Sequence, residues 1–242
     1  KEARAQGVWA PNPSIGSPDK AAGQAFQLAP GAVDTFRVLV ILVDFSDQPA
    51  SGGLVYGQPA DFMHLLFSFD PGDNHYSMAE FYRDNSYGTF IMQGQVVGWV
   101  RAPQTYAYYV DGQKGFGTYP QNAQKMAEDA VLLADPLVNY SMFDADGNGW
   151  VDGVFIVHSG TGYEQTGDPN DIHSHMWSLR TSQYLDGVTI SSYTTEPEEN
   201  SATGLSTMGV YAHEYGHFIG LPDLYDGDYS SSGIGDWSLM AG

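Results

Sequence analysis

Near the C-terminal end of the chain runs GVYAHEYGHFIGLPDLYD, residues 209–226. On an α-helix, residues four apart lie about 40° from each other around the axis. His213 and His217 can therefore set two imidazoles side by side on one ion. Glu214 lies about 100° round from His213, near such an ion but not on it. That is where a general base for an ion-activated water belongs. A catalytic zinc also needs a third protein ligand and one open position. A glutamate on a later helix finds no candidate within this chain, because no Glu follows Glu214 here. The other route ends the helix at a glycine and folds the chain back, with a ligand six residues after the second histidine. Gly220 suits a left-handed helix end, Pro222 stops the helix restarting, and Asp223 falls at the required step. Asp226 is the alternative third ligand. The bland alternative is two histidines on the polar face of a core-packed helix; a metal site without catalysis would leave Glu214 with no structural reason to be there.

A second constellation is DADGNGWVD, residues 144–152. Asp144, Asp146 and Asn148 alternate, Trp150 offers a carbonyl, and Asp152 stands ninth, as in the first part of a calcium-binding EF-hand loop. The twelfth position is Phe155, not Glu, so this is no EF-hand. The clustered oxygens can still wrap Ca²⁺ with help from elsewhere; otherwise they form an Asx-rich surface turn. Asp44 and Asp47 could make another cation site or cap a strand end. Asp171, His173 and His175 share a face if extended, as a second metal site, a substrate-facing group, or polar residues on a strand end or loop. His158, at the end of an apolar strand, reads as a hydrogen-bonded core histidine. TEPEEN, residues 195–200, reads as a solvated loop.

The elements that must position these residues are legible in part. Residues 1–33 are rich in Pro, Gly, Ala and Ser and read as an extended arm. FRVLVILVDF, residues 36–45, is a strand buried on both faces. Residues 60–69 form a short helix. A second starts at Ser77, where Ser and Glu three apart make a capping box, and stops at Gly88. Residues 88–102 look like strand, turn, strand. Residues 122–134 form an amphipathic helix ended before Pro136, and residues 154–160 another buried strand. The helix of the opening motif runs from near Ser206 or Thr207 to Gly220. No internal repeat or linker splits the chain.

Nine Lys and Arg face 29 Asp and Glu, a formal net charge of −20. Such a surface repels phosphate backbones and anionic membranes, so nucleic acid is not an expected partner. It calls for bound cations or serves solubility outside the cell. There is no cysteine, which excludes disulfides, thiolate metal sites and cysteine nucleophiles. No apolar run is long enough to span a membrane.

HEYGHFIGLPD has the form HExxHxxGxxD, and GDWSLMAG, with Met240, looks like the Met-turn that underlies the zinc in metzincins. With GVYAHEYGH and LPDLYD, the chain resembles the bacterial M6 peptidases of the immune inhibitor A type. LVILVDFSD, EFYRDNSYGTF, GWVRAP and FDADGNGWVDGVFIVHSG echo the family upstream. The resemblance implies a secreted bacterial zinc endopeptidase acting on proteins or peptides, made as a precursor with an N-terminal propeptide. It implies His213, His217 and Asp223 as zinc ligands, Glu214 as base and Met240 as a hydrophobic floor. Many metzincins carry a Tyr two residues after this Met; Gly242 stands there instead. The family continues past this point, so the catalytic domain expected over residues 34–242 is C-terminally incomplete. The expected fold is α/β (α+β): a metzincin-like domain with a twisted mixed sheet, a backing helix and an active-site helix. The competing reading is a calcium-stabilised surface or adhesion module whose zinc site does not turn over.

Overall fold

A computed structural model describes residues 33–50, 57–70, 76–200, 204–228 and 230–241. The expected arm, apart from Val33, lies outside the described residues, as does Gly242. In chain order the elements are β1 (Asp34–Asp44), α1 (Pro59–Phe67), α2 (Met78–Asn85), β2 (Phe90–Arg101), α3 (Tyr106–Val110), α4 (Ala123–Ala134), β3 (Val154–Thr161), α5 (Tyr163–Thr166), β4 (His175–Leu185), β5 (Val188–Asn200), β6 (Gly204–Leu205) and α6 (Met208–Phe218). The strands form one sheet in the order β2-β1-β3-β5-β4, with β6 paired to β5. The pairs among β2, β1, β3 and β5 are parallel. β4 and β6 run antiparallel to β5. The domain is thus α/β with a mixed sheet. Among the described residues, no helix is long and apolar enough to cross a membrane.

The apolar run of β1 builds two cores because successive side chains leave opposite faces of a strand. Leu39, Ile41 and Val43 pack with Met126, Ala127, Ala130 and Val131 of α4. Val38, Val40 and Leu42 pack with Phe62 and Leu66 of α1, Met78 and Ala79 of α2, and Tyr211 and Tyr215 of α6. One face therefore carries α4 and the other carries α1, α2 and α6. The capping box of α2 is present: Glu80 N donates to Ser77 Oγ at 3.1 Å, and Ser77 N donates to Glu80 Oε2 at 3.1 Å. Asn122 caps α4 by accepting from Lys125 N at 3.1 Å.

Two expectations are corrected. Residues 88–102 do not turn back on themselves. They form the single strand β2, paired with β1 from Asp34↔Phe90 to Asp44↔Arg101 with one register shift between Ile41 and Val43. Gly94 is not a turn glycine; a Cβ there would collide with the Phe67 ring, so it is the close-approach glycine of a strand covered by α1. Thr195–Asn200 is not a solvated loop but the end of β5, with Glu196 and Glu198 wholly buried. The β4–β5 hairpin was not expected at all. Its signal was Asp186–Gly187, whose φ values of +50° and +87° suit a tight primed turn.

Candidate metal centre

Helix α6 is fixed to the sheet by its tyrosines. Tyr215 stacks on Phe155 with ring centroids 5.7 Å apart. Tyr211 donates to the Pro197 carbonyl at 3.0 Å, and Tyr82 of α2 donates to the Ala212 carbonyl at 2.5 Å. With Tyr211 and Tyr215 turned inward, His213 and His217 lie on the other side of the helix. The helix ends as a Schellman motif. Leu221 N donates to Gly216 O at 2.9 Å, Gly220 N donates to His217 O at 2.9 Å, and Gly220 takes φ +95°. That reversal carries Asp223 back to the histidines.

Each imidazole is oriented by a backbone carbonyl. His213 Nδ1 donates to Leu239 O at 2.8 Å and His217 Nδ1 donates to Leu221 O at 2.9 Å. A carbonyl only accepts, so each Nδ1 carries a proton and each Nε2 faces inward, the nitrogen that a metal takes when it displaces the remaining proton. The two Nε2 atoms are 3.2 Å apart. Asp223 Oδ1 lies 3.5 Å from His213 Nε2 and 3.2 Å from His217 Nε2. It is buried and has no well-directed hydrogen bond to either. Ligands held tetrahedrally at zinc bond lengths stand about 3.3–3.6 Å from one another. The spacing and convergence of these three atoms fit such an ion. Glu214 has a carboxylate oxygen within 4.8 Å of the imidazole nitrogens.

Met240 packs from below. Gly216, between the two histidines, leaves the space its sulfur fills: a Cβ on Gly216 would stand 2.5 Å from Met240 Sδ. Met240 O also accepts from Leu224 N at 2.7 Å, tying this turn to the residue after Asp223.

The electrostatics follow from burial and proximity. Burial works against charge on the imidazoles, but the Asp223 carboxylate beside them more than offsets it. His213 is raised to about 9 and His217 is raised as well. Burial opposes ionisation of Asp223 too, yet the two histidines hold it at about 2. Glu214 is lifted to about 7 by burial, against the pull of the histidines.

Beside Glu214 lies a group that sequence reasoning missed. Glu196 on β5 is fully buried, and neither carboxylate oxygen has a hydrogen-bond partner. Burial, then the charge of Glu214, pushes its pKa well up. The sequence signal was the two-residue spacing of Thr194, Glu196 and Glu198 at the end of a strand.

The other candidates separate. Asp144, Asp146 and Asp152 bring carboxylate oxygens within 4.8 Å of one another. Burial, then the neighbouring aspartates, lifts Asp152 to about 6, although Arg37 N and Ala145 N donate to it. Asn148 accepts from Trp150 N at 2.8 Å, and Trp150 bridges to Thr189. Asp44 instead makes a two-pronged ion pair with Arg101, at 2.6 and 2.8 Å. Asp47 accepts from Tyr106 N and Ala107 N at the start of α3. Asp171 accepts from Thr166 Oγ1, and His173 Nδ1 donates to Ser174 O. His175 is buried against Tyr193, with a ring nitrogen 3.0 Å from the hydroxyl, and burial holds it near 3. His158 Nδ1 donates to Ser159 O at 3.1 Å inside the core. Asp226 binds its own loop.

A mixed-sheet domain that presents two helical imidazoles and a returning carboxylate to one ion-sized gap has the design of a metallopeptidase catalytic domain. The sequence relationship is more specific. Residues 24–242 match the family described as immune inhibitor A peptidase M6, catalytic domain, and the chain belongs to that family. It is 30% identical over 265 residues to the pre-pro-metalloprotease PrtV of Vibrio cholerae serotype O1, covering 90% of this chain and 28% of that protein. It is 28% identical over 258 residues to immune inhibitor A of Bacillus thuringiensis subsp. alesti, covering 88% of this chain and 37% of that protein. The chain thus spans about a third of the length of these curated relatives.

Proposed function

We propose that the domain is a zinc-dependent endopeptidase, with His213, His217 and Asp223 as the zinc ligands and Glu214 as general base. The observation that carries this reading is the mutual 3.2–3.5 Å spacing of two Nε2 atoms and one carboxylate oxygen. Family membership supports peptide-bond hydrolysis as the reaction. When bound, zinc supplies Lewis acidity towards a water and the scissile carbonyl. Glu214 takes a proton from the attacking water at a carboxylate oxygen and returns it to the departing amine nitrogen. The Leu239 and Leu221 carbonyls hold the imidazole rings in orientation, and Met240 fills the space under the helix. In metzincin terms, Met240 is the Met-turn residue.

The test is casein hydrolysis before and after exhaustive chelation. Activity is expected to vanish with the metal and to return on stoichiometric zinc. Hydrolysis that survives removal of all zinc, verified by elemental analysis, would refute the assignment.

Calcium on Asp144, Asp146 and Asp152, with Asn148 and the Trp150 carbonyl as further ligands, belongs to the same proposal. Its support is the convergence of three carboxylates and the raised Asp152 pKa. Binding to the folded state stabilises it by mass action. Millimolar Ca²⁺ is therefore expected to raise the Tm of the wild type but not of Asp146→Ala; equal shifts would remove calcium from this loop. Export and propeptide removal are proposed from the relative named a pre-pro-metalloprotease. Activity confined to washed cells would contradict export, and full activity of the uncleaved precursor would contradict the propeptide.

A further inference from the structure

Asp223 is the one proposed ligand that is not on the helix, so something must hold its carboxylate still. The chain after it supplies three constraints. Asp226 Oδ2 accepts from Ser230 Oγ at 2.9 Å, Ser231 N at 2.7 Å and Ser231 Oγ at 2.8 Å, while Oδ1 accepts from Asp228 N at 3.2 Å. This gathers both sides of the loop onto one carboxylate. The returning strand of the loop then lies directly on the segment that follows Asp223. A Cβ at Gly233 would stand 2.5 Å from Leu224 O, 2.7 Å from Asp226 N and 2.9 Å from the Tyr225 carbonyl carbon, and Gly233 takes φ +55°. All three atoms are backbone, so no side-chain adjustment makes room. Finally, Leu224 is held from two directions: its N donates to Met240 O at 2.7 Å and its O accepts from Ile234 N at 3.1 Å.

We infer that Asp226 and Gly233 are positioning residues for the Asp223 carboxylate: Asp226 closes the loop, and the bare backbone at Gly233 lets it seat on Leu224–Asp226. Asp226 is thus not an alternative ligand but the residue that fixes the ligand three positions before it. The inference rests on Asp223 being a zinc ligand. Partners that orient metal ligands typically govern metal affinity by a factor of about 10–100.

Zinc affinity is measured by competition with a chromophoric chelator, alongside the Tm of each metal-free protein. Asp226→Ala is expected to bind zinc about 10–100-fold more weakly, with the metal-free Tm unchanged, because the loop carries few core contacts. Asp226→Asn keeps an acceptor oxygen and is expected to recover part of that loss. Gly233→Ala should weaken zinc binding independently by displacing the backbone next to Asp223. Wild-type affinity in Asp226→Ala, a loss no smaller in Asp226→Asn, wild-type affinity in Gly233→Ala, or a loss matched by a fall in metal-free Tm would each overturn the inference. Asp223→Ala is the separating arm. If it binds zinc like the wild type, the ligand assignment itself has failed; if it binds weakly while Asp226→Ala does not, only the positioning role has.

Discussion

Glu214→Gln is expected to lower casein turnover by a factor of about 100 to 10,000, the range general bases contribute, while zinc affinity stays at the wild-type value. Gln is nearly isosteric and leaves both imidazoles and Asp223 in place, but it cannot accept the proton of the attacking water. Zinc titration and kinetics on the same preparation separate the two effects. A variant that loses its zinc would make Glu214 a structural residue, and one that keeps its turnover would remove the base from the mechanism. The pH profile adds a second check. Glu214 must be ionised to act, and burial lifts its pKa to about 7. A bound dication adds to the pull that the histidines already exert in the other direction. The acidic limb of kcat/KM is therefore expected at or below pH 7, falling tenfold per pH unit below it, and absent from whatever activity Glu214→Gln retains.

Glu196→Gln is expected to make the domain more stable at neutral pH and to flatten its response to alkali. The Glu196 carboxyl is fully buried with neither oxygen hydrogen-bonded, and Glu214 is the neighbouring charge. Ionising it in place is costly, so the folded domain keeps the proton. The unfolded chain releases that proton at the ordinary carboxylate pKa near 4.3. Below that value the group is neutral in both states and contributes nothing to the difference. Above it, unfolding gains by releasing the proton, and stability falls by up to about 1.4 kcal/mol per pH unit until the raised folded pKa is reached. The wild-type Tm is therefore expected to fall between pH 5 and pH 7 more steeply than that of the variant. Gln cannot ionise, so the variant lacks this term. Parallel Tm curves for wild type and variant from pH 5 to pH 7.5 would show that Glu196 is not held neutral.

The gathering of His213, His217 and Asp223 was legible because its signals are local. Four-residue helical spacing placed His213 and His217 on one face, and Gly220 with Pro222 announced the reversal that returns Asp223. The runs in β1 and β3 were legible because burial on both faces leaves a continuous apolar string. What escaped depends on distant partners. Gly94 looks like a turn until Phe67 of α1 is placed over it. Glu196 looks solvated until β5 is paired with β3 from Phe155↔Thr194 onward and α6 closes over that face. Asp44 and Asp47 leave a cation site and a solvated strand end both open until Arg101 and the start of α3 claim them. A charged side chain in a short polar stretch carries no mark of whether another segment will cover it.

The carbonyl of Leu239 orients His213 from 26 positions further along the chain. Helix α6 by itself leaves its first imidazole without a guide, so the four-residue spacing of the histidines is not enough: the orientation of that ring is a tertiary property, supplied only when the turn at Met240 folds back.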